Sequence, residues 1–397
     1  MAKATAGQQG PKVRSDCYIE ITSKRLGEIK LNLKSKVDVM YGESIRTTIL
    51  DMCKFFELKH AAISVEDYGA LPSTVLARFE LAVKRLNPKM KKEYLPNFNK
   101  NNKYSTTKDK LRRTRLYLPG NEPKFYPNAG LHKPDGVILD LEDSVAPTEK
   151  DSAQLIVRNA LRAIDFYGSE RMVRINQLPQ GLDDLKFIVP HNVHVILIPK
   201  VESANQIKEV DAEIQKLKKT HKIQNEIYFM PIIESALGVI NAYDIAIASD
   251  NNCALAIGLE DYTADIGTQR TNEGKESFYA RTALINAAKA AGIQAIDTVF
   301  SDINDMDGLR DSVIEAKGLG FEGKGCIHPR QIQVVHEAFA PTESEIAKAQ
   351  NIIAAFEEAK SKGLGVVSIG SKMIDAPVVK RSVNTLEVAK KMMKFDT

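Results

Sequence analysis

Cysteine pairs and long apolar runs are missing from this 397-residue sequence. Its four cysteines are scattered and form no Cys-x-x-Cys pair, so neither a zinc site nor a disulfide framework is predicted. No apolar run approaches the roughly 20 residues of a transmembrane helix, which argues against a membrane protein. The first residues, MAKATAGQQGPKVRSD, lack the apolar core of a secretory signal, so we expect a cytoplasmic location.

A strong charge of one sign is also lacking. The 55 basic and 51 acidic residues leave a net charge of only +4, which gives no reason to expect nucleic-acid binding. Part of the excess lies in residues 87–115, which we interpret as a solvated segment rather than a phosphate-binding patch. The remaining composition is that of an ordinary globular protein, and the length suits two domains, or one barrel with an appendage.

The first part of the chain predicts a small α+β domain over residues 15–88. CYIEIT and GEIKLNLKS alternate between apolar and polar residues, which predicts a hairpin with Gly27 in its turn. A helix, a third strand (AAISVEDYG) and a second helix (PSTVLARFELAVKRL) follow. Residues 1–14 are predicted as a flexible tail and 89–110 as a linker.

From residue 111 to 340, eight short apolar runs alternate with helical stretches. The runs are RLYLPG, DGVILDLED, RMVRINQ, VHVILIPKVES, EIYFMPIIES, CALAIGLED, QAIDTVF and GKGCIHP. Their uniformly apolar character indicates buried parallel strands of an α/β protein. We predict a TIM (β/α)8 barrel rather than an open doubly wound sheet, because nearly every run ends in a charged residue and a barrel gathers such ends at one mouth. Residues 341–397 read as C-terminal helices with a Gly-rich loop that resembles a lid.

The predicted strand ends carry seven carboxylates and two cations. They are Asp140, Glu142, Asp143, Arg174, Lys200, Glu202, Glu234, Glu260 and Asp261. So many acids at one mouth would repel one another, and a divalent cation relieves that repulsion. Oxygen ligands with few histidines nearby indicate Mg²⁺ rather than Zn²⁺, and Mg²⁺ usually takes only one or two protein carboxylates. Glu234 and Asp261 are the preferred ligands.

Other interpretations of these residues stay open. Any single acid could instead cap the helix that follows it, and Glu202 is the best candidate for a purely structural role. Arg174 lies among apolar residues, so it needs a partner. Its planar fork suits either a substrate carboxylate or one of the neighbouring acids, and the two roles are compatible.

Several of these segments together resemble one known family. RRTRLYLPGNEPKF, DGVILDLEDSVAPTEK, VRIN, LIPKVESA, PIIESALGVINA, IGLEDYTADIGTQR, GFEGKGCIHPRQI and MIDAPVV are similar, in the same order, to the citrate lyase beta subunit family, which includes malyl-CoA and citramalyl-CoA lyases. The resemblance implies a TIM barrel with a C-terminal lid, assembled as a homo-oligomer, usually a trimer or hexamer.

The resemblance also implies roles for individual residues. It places Mg²⁺ on Glu234 and Asp261, a contact to metal-bound water on Asp143, and the substrate carboxylate on Arg174. Asp375, in MIDAPVV, matches a lid aspartate that reaches a neighbouring subunit's site for acid–base chemistry. We further expect three residues to contact the substrate: Arg113, Asp140 and Glu142.

The N-terminal domain resembles the citrate lyase gamma subunit, an acyl carrier protein. SDCYIEI, YGESIRTTIL and VEDYGALPSTVLARFELA carry this resemblance. The carrier's modified serine lies two residues before an aspartate that matches Asp16, and that position is Arg14 here, with Ser15 adjacent. The sequence therefore leaves open whether the thioester substrate is a free CoA ester or is bound to a carrier.

The resulting hypothesis is an oxo-acid lyase that depends on Mg²⁺. It would cleave a 3-hydroxyacyl thioester of citryl, citramalyl or malyl type to a 2-keto acid and an acetyl thioester. One alternative is a malyl-type thioesterase on the same barrel. Another is a non-catalytic scaffold that docks other citrate lyase subunits.

Overall fold

A computed structural model describes residues 2–363, 365–370 and 372–395 of the chain. It begins with a small α+β domain whose elements are β1 (Lys3–Ala6), β2 (Cys17–Ser23), β3 (Lys30–Ser35), α1 (Asp38–Phe55), β4 (Ala61–Asp67) and α2 (Pro72–Leu86). Alternate residues of β2 and β4 are buried, among them Ile19, Ile21, Ile63 and Val65, and they form the apolar face of the sheet. This strict alternation is what a sheet with one covered face requires.

Two expectations about this domain are wrong. The sheet order is β1-β2-β4-β3, so β4 lies between the two strands that were expected to form a hairpin. β2 pairs antiparallel with β4, and β3 pairs parallel with it. The segment expected to be a flexible tail contains β1, which pairs with β2 from Lys3↔Thr22 to Ala6↔Ile19. Short alternating runs predict strands well, but they do not determine which strand is the neighbour.

The predicted barrel is confirmed. Eight strands close into one parallel sheet in the order β10-β11-β12-β5-β6-β7-β8-β9. They are β5 (Thr114–Pro119), β6 (Gly136–Asp140), β7 (Glu170–Arg174), β8 (Val195–Ile198), β9 (Tyr228–Ile233), β10 (Ala254–Ile257), β11 (Gln294–Asp297) and β12 (Gly323–Cys326). Each coincides with one of the eight apolar runs, because strands buried on both faces are mostly apolar.

Helices surround the barrel and cover its outer face. They are α3 (Tyr126–Ala129), α4 (Lys150–Ala163), α5 (Gly181–Ile188), α6 (Ala204–His221), α7 (Ala236–Ile240), α8 (Ala242–Ala246), α9 (Leu259–Asp265), α10 (Phe278–Ala290), α11 (Met306–Leu319) and α12 (Arg330–Phe339). A separate cluster of buried side chains, including Ile138, Met172, Leu197 and Met230, fills the inside. The barrel is therefore a packed core with its carboxyl-end loops free to carry a site.

The linker is less solvated than expected. Asn99 donates its backbone N–H to the carbonyl of Arg162 at 2.7 Å, and Asn102 is buried. The Tyr104 hydroxyl donates to the carbonyl of Ser169 at 2.6 Å. These contacts hold the segment against the amino end of the barrel, so its many polar residues serve in part as hydrogen-bond donors to the barrel.

The C-terminal region has two long helices joined by a small hairpin. Its elements are α13 (Glu343–Ser361), β13 (Val367–Ile369), β14 (Lys372–Ile374) and α14 (Ala376–Phe395). Two antiparallel strands thus lie within the Gly-rich loop that was expected to act as a lid. Four residues of the predicted C-terminal range, numbers 364, 371, 396 and 397, lie outside the described residues.

Among the described residues, no helix has the combination of length and apolar character needed to cross a membrane.

Candidate active site

The carboxyl ends of consecutive barrel strands bring most of the predicted charged residues together in one place, which we call the mouth. Asp140 ends β6 and Arg174 ends β7, while Glu142 and Asp143 follow β6 directly. Lys200 follows β8, Glu234 follows β9, and Asp261 lies in the first turn of α9 after β10. Because parallel strands all end on the same side of a barrel, residues far apart in the chain meet here.

Arg174 and Asp140 form the most regular pair in the mouth. Arg174 donates from Nε and Nη2 to the two oxygens of Asp140, at 2.7 Å each. The Arg174 side chain is 12 % exposed and that of Asp140 is 1 % exposed. Burial raises the pKa of Asp140, but the hydrogen bonds and charge of Arg174 outweigh that effect and hold it below its ordinary value. Two nitrogens of the guanidinium, Nε and Nη2, thus already donate to a protein carboxylate.

Glu142 lies between two cations. Its carboxylate is 2.8 Å from Arg174 Nη1 and 3.3 Å from Lys200 Nζ. Burial raises the pKa of Glu142, and the neighbouring Asp143 adds to that rise. Asp143 itself is half exposed, 3.7 Å from Arg174 and 3.6 Å from Lys200. Both acids therefore line the open side of the mouth next to Arg174.

Lys200 connects both predicted metal ligands. Its backbone N–H donates to Glu234 Oε2 at 2.9 Å, and its Nζ lies 3.6 Å from Asp261 Oδ1. The residue has φ +51°, in the left-handed region that a lysine seldom adopts. Burial lowers the pKa of Lys200, but the negative charges of Glu142, Asp143 and Asp261 outweigh burial and raise that pKa above its ordinary value. The ammonium therefore stays charged. The sequence indicates no individual role for Lys200, and its central position follows from the fold.

Glu234 is the most unusual acid of the mouth. Its side chain is almost wholly buried, and burial raises its pKa to about 8, with the charges of Asp261 and Glu142 adding to that rise. Within the described part of the chain, no lysine or arginine lies within ion-pair distance of its carboxylate. A buried carboxylate beside two other acids is a site where a bound cation gains a great deal of electrostatic stabilisation.

These donors fit Mg²⁺ in type and in number. The described residues contain no group of three or more His, Cys, Asp or Glu side chains arranged to hold a metal ion. A pair of carboxylates is the smaller set that Mg²⁺ commonly uses, because it keeps water and substrate oxygens in its other positions. Glu234 accepts a hydrogen bond from the Lys200 backbone and Asp261 lies 3.6 Å from its Nζ, so both carboxylates are next to the same residue and are candidates for such a pair.

The expectation that Arg113 binds substrate is wrong. Arg113 immediately precedes β5, so it lies at the amino end of the barrel, opposite the mouth. It donates from Nε and Nη2 to Asp135 at 3.0 and 2.9 Å, and both side chains are buried. The residue is close to the first strand in sequence, but its position at the start of that strand gives it a structural role.

Two further acids of the predicted set have local partners. Glu202 accepts a hydrogen bond from Ser235 Oγ at 2.7 Å, in line with the structural role considered for it. Glu260 pairs with Arg270 at 2.7 Å. On α9, Glu260 faces a cavity of about 1010 Å³ that also contains the buried side chains of Arg281, Asp297 and Lys324. That cavity is lined by neither Glu234 nor Asp261, so it is separate from the mouth.

Asp375 lies at the start of α14. Its Oδ1 accepts from the backbone N–H of Val378 at 3.2 Å, as a helix-capping side chain does. Among the contacts of the described residues, none joins Asp375 to the mouth of its own chain. The predicted acid–base role of Asp375 in a neighbouring subunit's site therefore stays a prediction.

The fold and the mouth together define a (β/α)8-barrel enzyme with an acidic site suited to a divalent cation. The profile of the HpcH/HpaI aldolase/citrate lyase family matches residues 113–329. The chain is 45 % identical over 284 residues to citrate lyase subunit beta of Leuconostoc mesenteroides subsp. cremoris, covering 71 % of this chain and 94 % of that one. It is 34 % identical over 293 residues to mitochondrial citramalyl-CoA lyase of Mus musculus, covering 70 % and 86 %. The chain belongs to the HpcH/HpaI aldolase/citrate lyase family.

A solved structure and a second profile complete the comparison. The structure of CitE from Mycobacterium tuberculosis with magnesium, acetoacetate and coenzyme A is 28 % identical, with a TM-score of 0.60, and covers 72 % of this chain and all of that one. The profile of an acyl carrier family, described as the malonate decarboxylase delta subunit, matches residues 3–86. The predicted class, an oxo-acid lyase with a carrier-like N-terminal domain, is thereby confirmed at the level of the family.

Proposed function

We propose that this chain cleaves a citryl-, citramalyl- or malyl-type thioester to a 2-keto acid and an acetyl thioester, with Mg²⁺ held by Glu234 and Asp261. The observation that carries the proposal is the buried carboxylate of Glu234, next to Asp261 and close to the Arg174–Asp140 pair. The relatives of this chain include citrate lyase beta subunits and a citramalyl-CoA lyase, and the second name identifies a thioester of the proposed type.

Each charged residue of the mouth has its own role in the proposed reaction. A Mg²⁺ bound here would acidify the substrate's 3-hydroxyl group and hold its oxygens. Arg174, held by Asp140, uses its remaining N–H groups to orient the substrate carboxylate. Asp140 and Glu142 fix that guanidinium, and Asp143, which is half exposed, would hydrogen bond to water at the open side.

Proton transfer needs a base that is free in the mouth. We assign it to Asp375 of a neighbouring subunit in a homo-oligomer, a trimer or hexamer, since in its own chain Asp375 only caps α14. The base takes the proton from the 3-hydroxyl oxygen, and the C2–C3 bond breaks. The electron pair of that bond stays on C2 as the thioester enolate, and the 3-hydroxyl oxygen becomes the carbonyl oxygen of the 2-keto acid. The proton taken up by Asp375 then returns to C2, which gives the acetyl thioester and regenerates the base.

Product analysis tests this proposal directly. The purified chain is incubated with Mg²⁺ and, separately, citryl-, citramalyl- and malyl-CoA, and the products are identified by mass spectrometry. A lyase releases oxaloacetate, pyruvate or glyoxylate together with acetyl-CoA. Release of intact hydroxy acid and free CoA would instead identify the thioesterase alternative.

A scaffold role makes the opposite prediction. A non-catalytic subunit would show no turnover with any of the three esters when assayed alone, and turnover would appear only when catalytic citrate lyase subunits are added. For a lyase, Glu202→Gln should leave product formation intact, because Glu202 is hydrogen-bonded to Ser235 and has no proposed part in the reaction.

A further inference from the structure

The carrier-like domain, residues 3–86, is packed on the barrel through a continuous apolar core. One cluster of buried apolar side chains includes Ile19 and Phe79 of this domain as well as Val157 and Leu161 of α4. The contact is made chiefly by α2, which packs against α4. A shared core of this kind is typical of permanent interfaces, which resemble a domain interior, rather than of contacts that open and close.

A buried ion pair crosses the same contact. Glu80 of α2 accepts two hydrogen bonds from Arg158 of α4, both at 2.9 Å, and both side chains are completely buried. The side-chain amide of Asn159 donates to the carbonyl of Ser73 at 2.9 Å. Charged side chains are almost never fully buried unless paired, so both partners depend on the docked arrangement.

A second buried arginine ties the start of β2 to the barrel. Arg78 donates from Nε and Nη2 to the two oxygens of Asp16, at 2.9 and 2.7 Å. Its Nη1 also contacts Ser152 of α4, and its Nη2 donates to the carbonyl of Asn121 at 3.3 Å. Asp16, two residues after the position where a carrier bears its arm, thus holds the arginine that contacts the barrel.

This interface adjoins the mouth. Asn121 follows β5 at its carboxyl end, and the preceding Gly120 donates its N–H to the carbonyl of Asp140 at 2.8 Å. Glu122, in the same loop, accepts a hydrogen bond from Gln8 at 2.8 Å. The carrier-like domain thus contributes to the wall beside the entrance to the mouth.

The backbone near Asp16 is also held in place. Ser15 has φ +53° and donates its N–H to the carbonyl of Tyr68 at 3.0 Å. A carrier that delivers a thioester to several active sites has to leave each of them, whereas the contacts of Arg78, Glu80 and Gln8 join this side of the domain to the barrel.

We infer that the carrier-like domain is a fixed wall of the enzyme rather than a mobile carrier, and that the substrate is a free thioester bound by the unmodified chain. The statement about the substrate rests on the function proposed above. The statement about the fixed domain stands on the interface alone.

A distance measurement tests whether the domain is fixed. All four native cysteines are buried, so spin labels can be placed on Lys59→Cys in the domain and Lys219→Cys in the barrel, both exposed positions outside the mouth. Labelled chain is diluted into unlabelled chain, so that only distances within one chain are measured by double electron–electron resonance. The control is a pair within the barrel, Lys219→Cys with Asp311→Cys.

The fixed domain predicts one distance between the labels at positions 59 and 219. Its distribution should be as narrow as that of the control pair and should not change when citramalyl-CoA and Mg²⁺ are added. A second distance, or a distribution broader than the control, would overturn the inference, whether or not the enzyme is active.

A mass and activity measurement tests the nature of the substrate. Intact mass of the full chain should equal that of the unmodified sequence, and this preparation should cleave a free CoA thioester. Turnover that appears only after an arm is attached at Ser15 would overturn the free-substrate inference while leaving the lyase proposal standing. Absence of turnover in both forms would reject the proposed function, and the distance measurement would still decide whether the domain is fixed.

Discussion

Gly258 lies directly against the carboxylate of Glu234. A Cβ atom at position 258 would overlap Oε1 of Glu234 and its neighbouring side-chain atoms. Gly258 is not in a left-handed conformation, so the requirement for glycine here is one of space alone. Its closeness gives the carboxylate little room to move away from Lys200 and Asp261.

Replacement of Gly258 by alanine should therefore displace Glu234 without unfolding the barrel. We expect kcat/KM to fall on the order of 10²-fold, since small displacements in an active site have effects of that size. Mg²⁺ affinity, measured by calorimetry, should fall in parallel. The matched control is Gly318→Ala in α11, where a Cβ meets nothing within 4 Å. It should retain full activity, and equal losses in both variants would contradict this account.

Arg174→Lys tests the role of the guanidinium. Lysine keeps the charge but cannot bond both oxygens of Asp140 as Arg174 does, so its position relaxes. We expect kcat/KM to fall on the order of 10²-fold. In product inhibition, the 2-keto acid should lose more affinity than the acetyl thioester, because only the keto acid carries the carboxylate. Equal losses for both products would count against the proposed contact.

Replacement of Arg113 should affect the stability of the protein and not substrate binding. Arg113→Met removes the arginine of a buried ion pair, which destabilises proteins by up to about 3–5 kcal/mol, although His336 and two backbone N–H groups still contact Asp135. Urea unfolding should show this loss, while KM of the folded enzyme stays unchanged. Arg113→Lys, which retains the charge, should lose less stability. A raised KM with normal stability would restore a role in substrate binding.

His194 should make the protein sensitive to acid. Its Nδ1 accepts the backbone N–H of Arg171 at 3.1 Å. Burial, together with the charge of Arg171, lowers its pKa to about 3. Below pH 6.5 the unfolded chain binds a proton at His194 that the folded chain does not, so stability declines as pH falls from 6.5 towards 3.

The measurement is the free energy of unfolding in urea between pH 4 and pH 7. One such group changes it by at most about 1.4 kcal/mol per pH unit. His194→Gln retains an acceptor and a donor without a charge change, so its slope against pH should be shallower than that of the natural chain. The same slope in both proteins would contradict this assignment.

Much of the fold could be predicted because buried strands leave a direct trace in sequence. Eight apolar runs, most of them followed by a charged residue, were enough to predict the barrel and to place Glu234, Asp261 and Arg174 at one mouth. The hairpin was not predictable in the same way. β2 and β3 both pair with β4, and their own alternation contains no information about that third strand.

The details of the mouth depend on contacts between distant segments. Nothing local to Lys200 indicates that its backbone binds one acid while its ammonium contacts three others. Similarly, Arg113 resembles a site residue by position in sequence, and only the start of β5 at Thr114 places it at the opposite end. Asp375 was identified through family resemblance alone, because within the described residues its one side-chain hydrogen bond is the cap of α14.

Diffraction from a crystal grown with Mn²⁺ in place of Mg²⁺ tests the central claim most directly, since Mn²⁺ scatters anomalously. The account predicts one anomalous peak in the mouth, bonded to a carboxylate oxygen of Glu234 and one of Asp261 at about 2.1 Å, the usual distance for Mg²⁺. The peak should disappear in Glu234→Gln. A peak held by other acids, or one that persists in that variant, would contradict the assignment of the metal site.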